Sequence, residues 1–339
     1  MRKLLFALIA LACLSGQAAL AGPELREDHP DRYTVVKGDT LWDISARFLK
    51  EPWFWPEIWH VNPQIENPHL IYPGDVLELV YIDGEPRLTK VDSDRIIRLS
   101  PQVRSTPIET PIPTIPLDAI ESFLTGSRIV DQQELDNAPY VLEGSDRRIV
   151  SGAGDRIYAR GEAENGESLS VFRRNVAHVD PETNEFLGLE ARAIGNGRVV
   201  SVDGEVLTFL LTRSSEEVRT KDRLLPTEDR EITTSFQPSA PDQEIRGLMI
   251  AVEDGVSNIG QYDVVTINRG EREGLKPGNV LAVYREAGTV RDPVTNEVVR
   301  LPRERAGLLM VFRTYEKLSY GLVLQATRPL TLNDSVRNP

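Results

Sequence analysis

Between Tyr33 and Val80 the chain carries two short strand-like runs, Tyr33-Thr34-Val35-Val36 and Val76-Leu77-Glu78-Leu79-Val80. Each adjoins a turn written with glycine and aspartate: Lys37-Gly38-Asp39 follows the first run, and Tyr72-Pro73-Gly74-Asp75 precedes the second. Glycine tolerates the left-handed backbone of tight turns, so both places read as sharp reversals. Helical patterns lie between them. Thr40-Leu41-Trp42-Asp43 has the form of a capping box, in which Thr40 would accept a backbone N–H and Asp43 would reach back. Leu41, Ile44 and Phe48 recur at helical spacing and predict one buried face. A second helix is expected near Pro56, which suits a first-turn position. Strand, helix, helix, strand in about fifty residues makes a module whose core is so small that every apolar position counts.

Aromatic residues crowd into this module at Trp53, Phe54, Trp55 and Trp59. Trp55 and Trp59 are four apart, so at least one indole should pack inward. Stacking on a sugar is the alternative role. A small module needs bulk in its core, which favours the core role for Trp59 and favours it less for Trp53.

A chain of 339 residues exceeds one typical core, so two or three domains are expected. The formal charge of −13 speaks against a nucleic-acid binder, because phosphate contacts need clustered Lys and Arg. It also speaks against docking on an anionic lipid surface by charge alone. At the N-terminus, Arg2 and Lys3 precede the apolar run Leu4 to Leu14, and Ala19-Leu20-Ala21 follows. Charged segment, apolar run and A-x-A site together read as a secretory signal over residues 1–21. The run is too short to span a bilayer, so no transmembrane segment is expected after cleavage. Loss of Arg2 and Lys3 would take the charge from −13 to −15. Cys13, the one cysteine, lies inside this signal, so the mature chain would hold neither thiol nor disulfide. Ala10-Leu11-Ala12-Cys13 loosely resembles a lipobox, which leaves a lipid anchor on Cys13 as the alternative to a soluble periplasmic form.

Residues 22–32 form a polar spacer. After the module, taken as 33–81, Arg87-Leu88-Thr89 and Ile96-Ile97-Arg98-Leu99 are expected to form an added hairpin. Prolines at 101, 107, 111, 113 and 116 then predict an extended linker over 101–116. A short helix is expected from Leu117 to Leu124. From Ala138 onward, short alternating runs broken by Gly, Asn and Asp predict β structure throughout.

This β region repeats itself. Val171-Phe172-Arg173 matches Val283-Tyr284-Arg285, and Asp180-Pro181-Glu182-Thr183-Asn184-Glu185 matches Asp292-Pro293-Val294-Thr295-Asn296-Glu297, each 112 residues apart. Arg160-Gly161-Glu162 matches Arg269-Gly270-Glu271 at a spacing of 109, which implies a small insertion near Lys276-Pro277-Gly278. Two β units are therefore expected, 138–226 and 247–339, joined by the polar segment 227–243. The D-P-x-T-N-E element has the composition of a hairpin tip.

Taken together, Tyr33-Thr34-Val35, Gly38-Asp39-Thr40-Leu41-Trp42-Asp43-Ile44-Ser45, Trp59, Asn62-Pro63, Ile65 and Ile71-Tyr72-Pro73-Gly74-Asp75-Val76-Leu77 make residues 33–80 resemble a LysM domain. That family is a βααβ module that binds glycans containing N-acetylglucosamine. The resemblance implies a groove between the first strand–helix turn and the loop before the last strand. Its residues here would be Gly38, Asp39, Thr40 and Leu41 on one side, and Asn67, Pro68, Leu70 and Ile71 on the other. Gly38 and Asp39 would offer backbone N–H groups at a helix N-terminus to an acetamido carbonyl. Leu70 and Ile71 would offer apolar surface to the N-acetyl methyl. The repeats bear a looser similarity to small β-barrel domains of bacterial flagellar-assembly and envelope proteins, carried by Val264 to Gly270 and by Gly274 to Tyr284.

Modules of this kind often accompany cell-wall hydrolases. A thiol peptidase needs a cysteine nucleophile, and the mature chain has none. A zinc amidase needs His, Asp or Glu ligands at short spacing; His29, His60, His69 and His178 fall in no such motif. A Ser–His–Asp site could draw only on His178 outside the module, and no G-x-S-x-G turn is present. The expectation is an α+β protein, a small βααβ module followed by two repeated β units. It would have no cofactor and no catalytic residue, and would bind peptidoglycan while offering its β units to an unknown envelope protein. The alternatives are a wall-remodelling hydrolase with an unrecognised site and an assembly factor of an envelope machine.

Overall fold

The computed structural model describes residues 23–59, 71–91, 111–227, 236–252, 258–285 and 288–339. The signal segment, the Ile96–Leu99 run and residues 101–110 lie outside the described residues. The chain divides into two compact units, Met1–Ile112 and Pro113–Pro339.

In the first unit, β1 (Arg32–Thr34) pairs antiparallel with β2 (Val76–Ile82), placing Tyr33 opposite Leu77. Between them run α1 (Leu41–Phe48), a 3-10 turn (Pro52–Phe54) and α2 (Trp55–Ile58). Leu41, Ile44 and Phe48 are all buried, as their spacing predicts, and they meet Val35, Trp55, Ile58 and Leu77 in one core. Trp55 is the indole that turns fully inward. Trp59 is half-buried against the same core, and Trp53 stacks on Phe54 with ring centroids 3.8 Å apart.

Three local expectations change. Asp83 and Gly84 both take the left-handed backbone, with φ of 55° and 84°, the signature of a two-residue hairpin turn. They send β2 directly into β3 (Glu85–Val91), which pairs along its whole length and buries Leu88. The module's sheet therefore runs to Val91, and Arg87-Leu88-Thr89 belongs to it rather than to a separate hairpin. The capping box is half formed: the Thr40 hydroxyl accepts the Asp43 N–H at 3.1 Å and donates to the Asp43 carboxylate at 2.7 Å. Within the proline-rich stretch, Ile112 and Ile115 are buried rather than solvated, and Ile112 joins the module core. Apolar side chains between the prolines gain more by burial than an exposed spacer would allow.

The second unit is mainly β. The short helix lies at α3 (Glu121–Thr125), later than the sequence predicts, because Leu117 to Ile120 form turns. β4 (Ser127–Val130) and α4 (Gln132–Asn137) follow. Then come β5 (Tyr140–Gly144), β6 (Val150–Ser151), β7 (Arg156–Arg160), β8 (Ser168–Val179), β9 (Phe186–Asp203), β10 (Val206–Ser214), β11 (Val218–Arg219) and β12 (Arg223–Pro226). The pairings close a ring in the order β5-β7-β10-β9-β8-β12 and back to β5, with β4 added along β9. Residues 246–337 supply β13 (Arg246–Val252), β14 (Val264–Ile267), β15 (Val280–Arg285), β16 (Thr289–Arg291), β17 (Val298–Arg300), β18 (Glu304–Thr314), β19 (Ser319–Ala326) and β20 (Ser335–Arg337). They close a barrel in the order β13-β14-β19-β18-β15-β20. The two rings have the same circular order. Each is filled by inward-facing apolar residues, such as Ile157, Val171 and Phe209 in the first and Val265, Leu281 and Val311 in the second.

One turn recurs in both units. Its third residue is left-handed, and its fourth is an Asp or Asn whose side chain accepts the N–H of the first. Asp39, Asp75, Asp155, Asp222, Asn279 and Asp334 do this at 2.7–2.9 Å. The left-handed residue is Gly at 38, 74, 154 and 278, but Lys221 (φ 77°) and Asn333 (φ 69°) elsewhere, and Asp263 repeats the turn on the Gly260 N–H at 2.7 Å with Tyr262 left-handed (φ 71°).

The β8–β9 tip, Asp180 to Glu185, meets the second barrel. Arg272 binds Glu185 through both guanidinium nitrogens at 2.8 and 2.9 Å, and Lys317 approaches it at 3.0 Å. Arg269 lies 3.3 Å from the buried Asp180 carboxylate and 3.6 Å from Glu182. Arg272 first, then Lys317, hold the Glu185 carboxyl down to about 2, against an ordinary 4.5. A folded value below the unfolded one means the contact stabilises fully above pH 4.5 and loses this as pH falls toward 2. Denaturant unfolding of the wild type and of Glu185→Gln should therefore differ most above pH 4.5 and converge by pH 2. Lys221→Gly should raise stability by about 0.5–1 kcal/mol, because relief of left-handed strain exceeds the entropic cost of glycine there; thermal unfolding measures it.

Candidate functional site

The two Gly-Asp turns of the first unit are clamped together across Val35. The Gly74 N–H donates to the Val35 carbonyl at 2.7 Å, and the Val35 N–H donates to the Asp75 carbonyl at 2.8 Å. This brings the end of β1, the N-terminus of α1 and the entry to β2 to one edge of the module. Gly38 needs its left-handed φ of 98°, and the space where a Cβ would sit is open.

Asp39 is the centre of this edge. One carboxylate oxygen accepts both the Val36 N–H and the Tyr33 hydroxyl, each at 2.9 Å. Burial, and then this hydrogen bond to a carboxylate, push the Tyr33 phenol above its ordinary value. The Arg47 guanidinium, in the last turn of α1, sits 4.6 Å from the Tyr33 ring centroid. On the neighbouring turn, Lys90 from β3 pairs with Asp75 at 2.8 Å.

The eight residues that the resemblance assigns to the groove divide by position. Gly38 is exposed and Asp39 half-buried. Thr40 is buried as the helix cap, and Leu41 points into the core. Ile71 is also buried, so its side chain fills the core and offers no face to a sugar methyl. Its carbonyl accepts the Ile112 N–H at 2.8 Å. Asn67, Pro68 and Leu70 lie outside the described residues. The Asp39 N–H, expected to face a ligand, donates to the Val36 carbonyl at 3.2 Å. What remains presentable is the backbone at Gly38 and the N–H groups of Leu41 and Trp42 in the first turn of α1, which have no partner within their own helix.

Sequence reasoning missed Tyr33, Arg47 and Lys90. Tyr33 reads as a strand residue, and nothing local says that its hydroxyl reaches Asp39. Lys90 becomes visible only once Asp83-Gly84 is recognised as a hairpin turn.

Away from this edge, His178 is buried in the first ring beside Glu190, 3.3 Å away. Burial pushes the Glu190 carboxyl up, but hydrogen bonds from His178, Asn175 and Ser127 outweigh it and hold it below its ordinary value. Ser127 bonds Glu190 at 3.4 Å, leaving Glu190 between the serine and the imidazole. A nucleophilic triad requires the imidazole in that middle place. Among the described residues no group of three or more His, Cys, Asp or Glu side chains is arranged to hold a metal ion.

The first unit is thus a βααβ module, extended by β3, with two abutting Gly-Asp turns beside a helix N-terminus. Residues 33–79 match the family model of the LysM domain, and this stretch is a LysM domain. It is a binding domain for peptidoglycan and related carbohydrates, and not a catalytic one. The chain is also similar to an uncharacterized protein, YqbP, of Bacillus subtilis (strain 168), being 40% identical over 60 residues. That alignment covers 15% of this chain and 27% of the relative. Among the described residues no helix is long and apolar enough to cross a membrane.

Asp39→Asn should lower the Tyr33 phenol value, because it removes the carboxylate that disfavours the phenolate. Difference ultraviolet titration against the wild type checks this, and an unchanged curve would refute the Tyr33–Asp39 contact. Gly38→Ala should cost about 1 kcal/mol through backbone strain alone, since no neighbour meets the added methyl.

Proposed function

We propose that this protein is an exported, non-catalytic cell-wall binding protein. Its LysM domain would hold the N-acetylglucosamine glycan of peptidoglycan, and the β unit of 113–339 would serve as adaptor or scaffold toward another envelope protein. The observation that carries the reading is the LysM match over 33–79 with its paired turns intact. The N-terminal pattern over 1–21 supports export to the periplasm or cell envelope, with a lipid anchor through Cys13 as the alternative form. The groove assigned here comprises the backbone at Gly38, the α1 N-terminus capped by Thr40, and the segment carrying Asn67, Pro68 and Leu70, while Leu41 and Ile71 support it from the core. The LysM domain supplies binding, and the position of Glu190 between Ser127 and His178 supports a non-catalytic reading of the β unit.

A shallow groove that orders little of its ligand and buries little area should bind with modest affinity. The full chain is expected to co-sediment with purified peptidoglycan, and soluble N-acetylglucosamine oligomers should release it. A variant lacking residues 33–91 should stay in the supernatant. Retained binding by that variant, or indifference to the oligomers, would overturn the reading. Clearing of peptidoglycan in a zymogram would overturn its non-catalytic part.

A further inference from the structure

The two D-P-x-T-N-E tips are built alike but placed differently. In the first, Asp180 accepts the N–H groups of Glu182 and Thr183 at 2.8 and 3.4 Å, and Asn184 is left-handed at φ 59°. In the second, Asp292 accepts those of Val294 and Thr295 at 2.7 and 3.2 Å, and Asn296 has φ 62°. The first tip is seated against the Arg269–Arg272–Lys317 socket of the second barrel. Among the described residues no cation pairs with the carboxylate of Asp292 or Glu297, and the ribbon β16–β17 that carries them stands exposed.

Burial separates the copies just as sharply. His178, Leu187 and Leu189 are 4%, 5% and 1% exposed, whereas their counterparts 112 residues later, Val290, Val299 and Leu301, are 46%, 42% and 40% exposed. In the first copy β4 is added along β9, with Val130 opposite Leu189. In the second copy no strand is added along β17 or along the matching residues 301–304 that follow it, among the described residues. The second tongue thus has the acidic tip and the apolar flank of the first, without the strand and the cationic socket that cover the first.

We propose that the β16–β17 tongue, Thr289 to Arg300, is a docking element for a different protein. That partner would add a strand along β17 and set a socket of arginine and lysine side chains against Asp292 and Glu297. A second copy of this chain does not fit this description. Its own socket is filled by its first tongue. The matching turns of its first barrel carry Arg160 paired with Glu205 at 2.6 Å, Ala163 where the second barrel has Arg272, and Glu205 in the turn matching that of Lys317. An acidic tip would meet an acidic side chain there. This inference deepens the adaptor reading and rests on it for the class of partner sought; it is independent of wall binding.

The test places a photoreactive residue at Val294, which is 89% exposed, in the full chain produced in its own cells. A control probe goes at Ile149, an exposed apolar position on the first ring (83%). The expected result is a discrete adduct from position 294 to another protein, with the crosslinked peptide containing arginine or lysine. Asp292→Asn with Glu297→Gln should cut its yield roughly tenfold or more, the loss expected for charge-assisted bonds. The Asn replacement keeps an acceptor for the tip's own N–H groups, so an unchanged circular dichroism spectrum accompanies the loss. An adduct to a second copy of this chain, or one that survives neutralisation, overturns the proposal. An adduct from Ile149 with none from position 294 overturns the tongue and leaves the adaptor reading standing; silence from both positions overturns both.

Discussion

The short hydrogen bond from a turn's first N–H to the side chain of its fourth residue is the interaction on which both units of this protein depend. A three-strand module with a tiny core, and barrels built from short strands, must reverse direction often within few residues. Each reversal leaves an amide that the sheet cannot satisfy, and an unpaired amide costs free energy wherever water is excluded. An Asp or Asn at the fourth position satisfies that amide locally, provided the third residue can be left-handed. In the LysM domain two such turns, ending at Asp39 and Asp75, are locked to one another through Val35. The loops flanking the candidate groove thus take their positions from the same bond that lets the chain turn.

The second unit shows how two rings of one topology diverge in use. Both run through the same circular strand order. The first carries β4 and α4 against its long hairpin, and that hairpin's tip reaches the second ring. The connection from β14 to β15 is longer than its counterpart and holds the 3-10 turn Glu271–Glu273, which presents Arg272. The socket for the first copy's tip therefore rests on residues that have counterparts in the first ring, Arg272 standing where that ring has Ala163, and the extra residues follow it near Lys276-Pro277-Gly278. The same hairpin in the second copy projects as β16–β17 with nothing opposite it among the described residues.

How much was legible follows from which interactions are local. The α1 face, the Thr40 cap, both Gly-Asp turns and the inward Trp55 depend on residues a few positions apart, and periodicity exposes them. Asp83-Gly84 is equally local, and only its reading as a hairpin turn adds the module's third strand. Ile71 misled because a residue beside a predicted groove is as well suited to the core, and in a core this small the inward position prevails. Ile112 could not be placed from its proline-rich surroundings. Its burial depends on Ile71, which is distant in sequence.

By itself the sequence determined the LysM domain, its turns, the β character of the rest and the internal duplication, because each is encoded in spacing, in left-handed residues or in self-similarity. Tertiary structure alone decided that Asp39 holds Tyr33, that Ser127 and His178 both face Glu190, and that one acidic tip is seated while its twin is exposed. Those outcomes depend on which distant side chains meet. Two short motifs that agree at five of six positions fold into the same tip, and the surface each will face is set by residues far away in sequence.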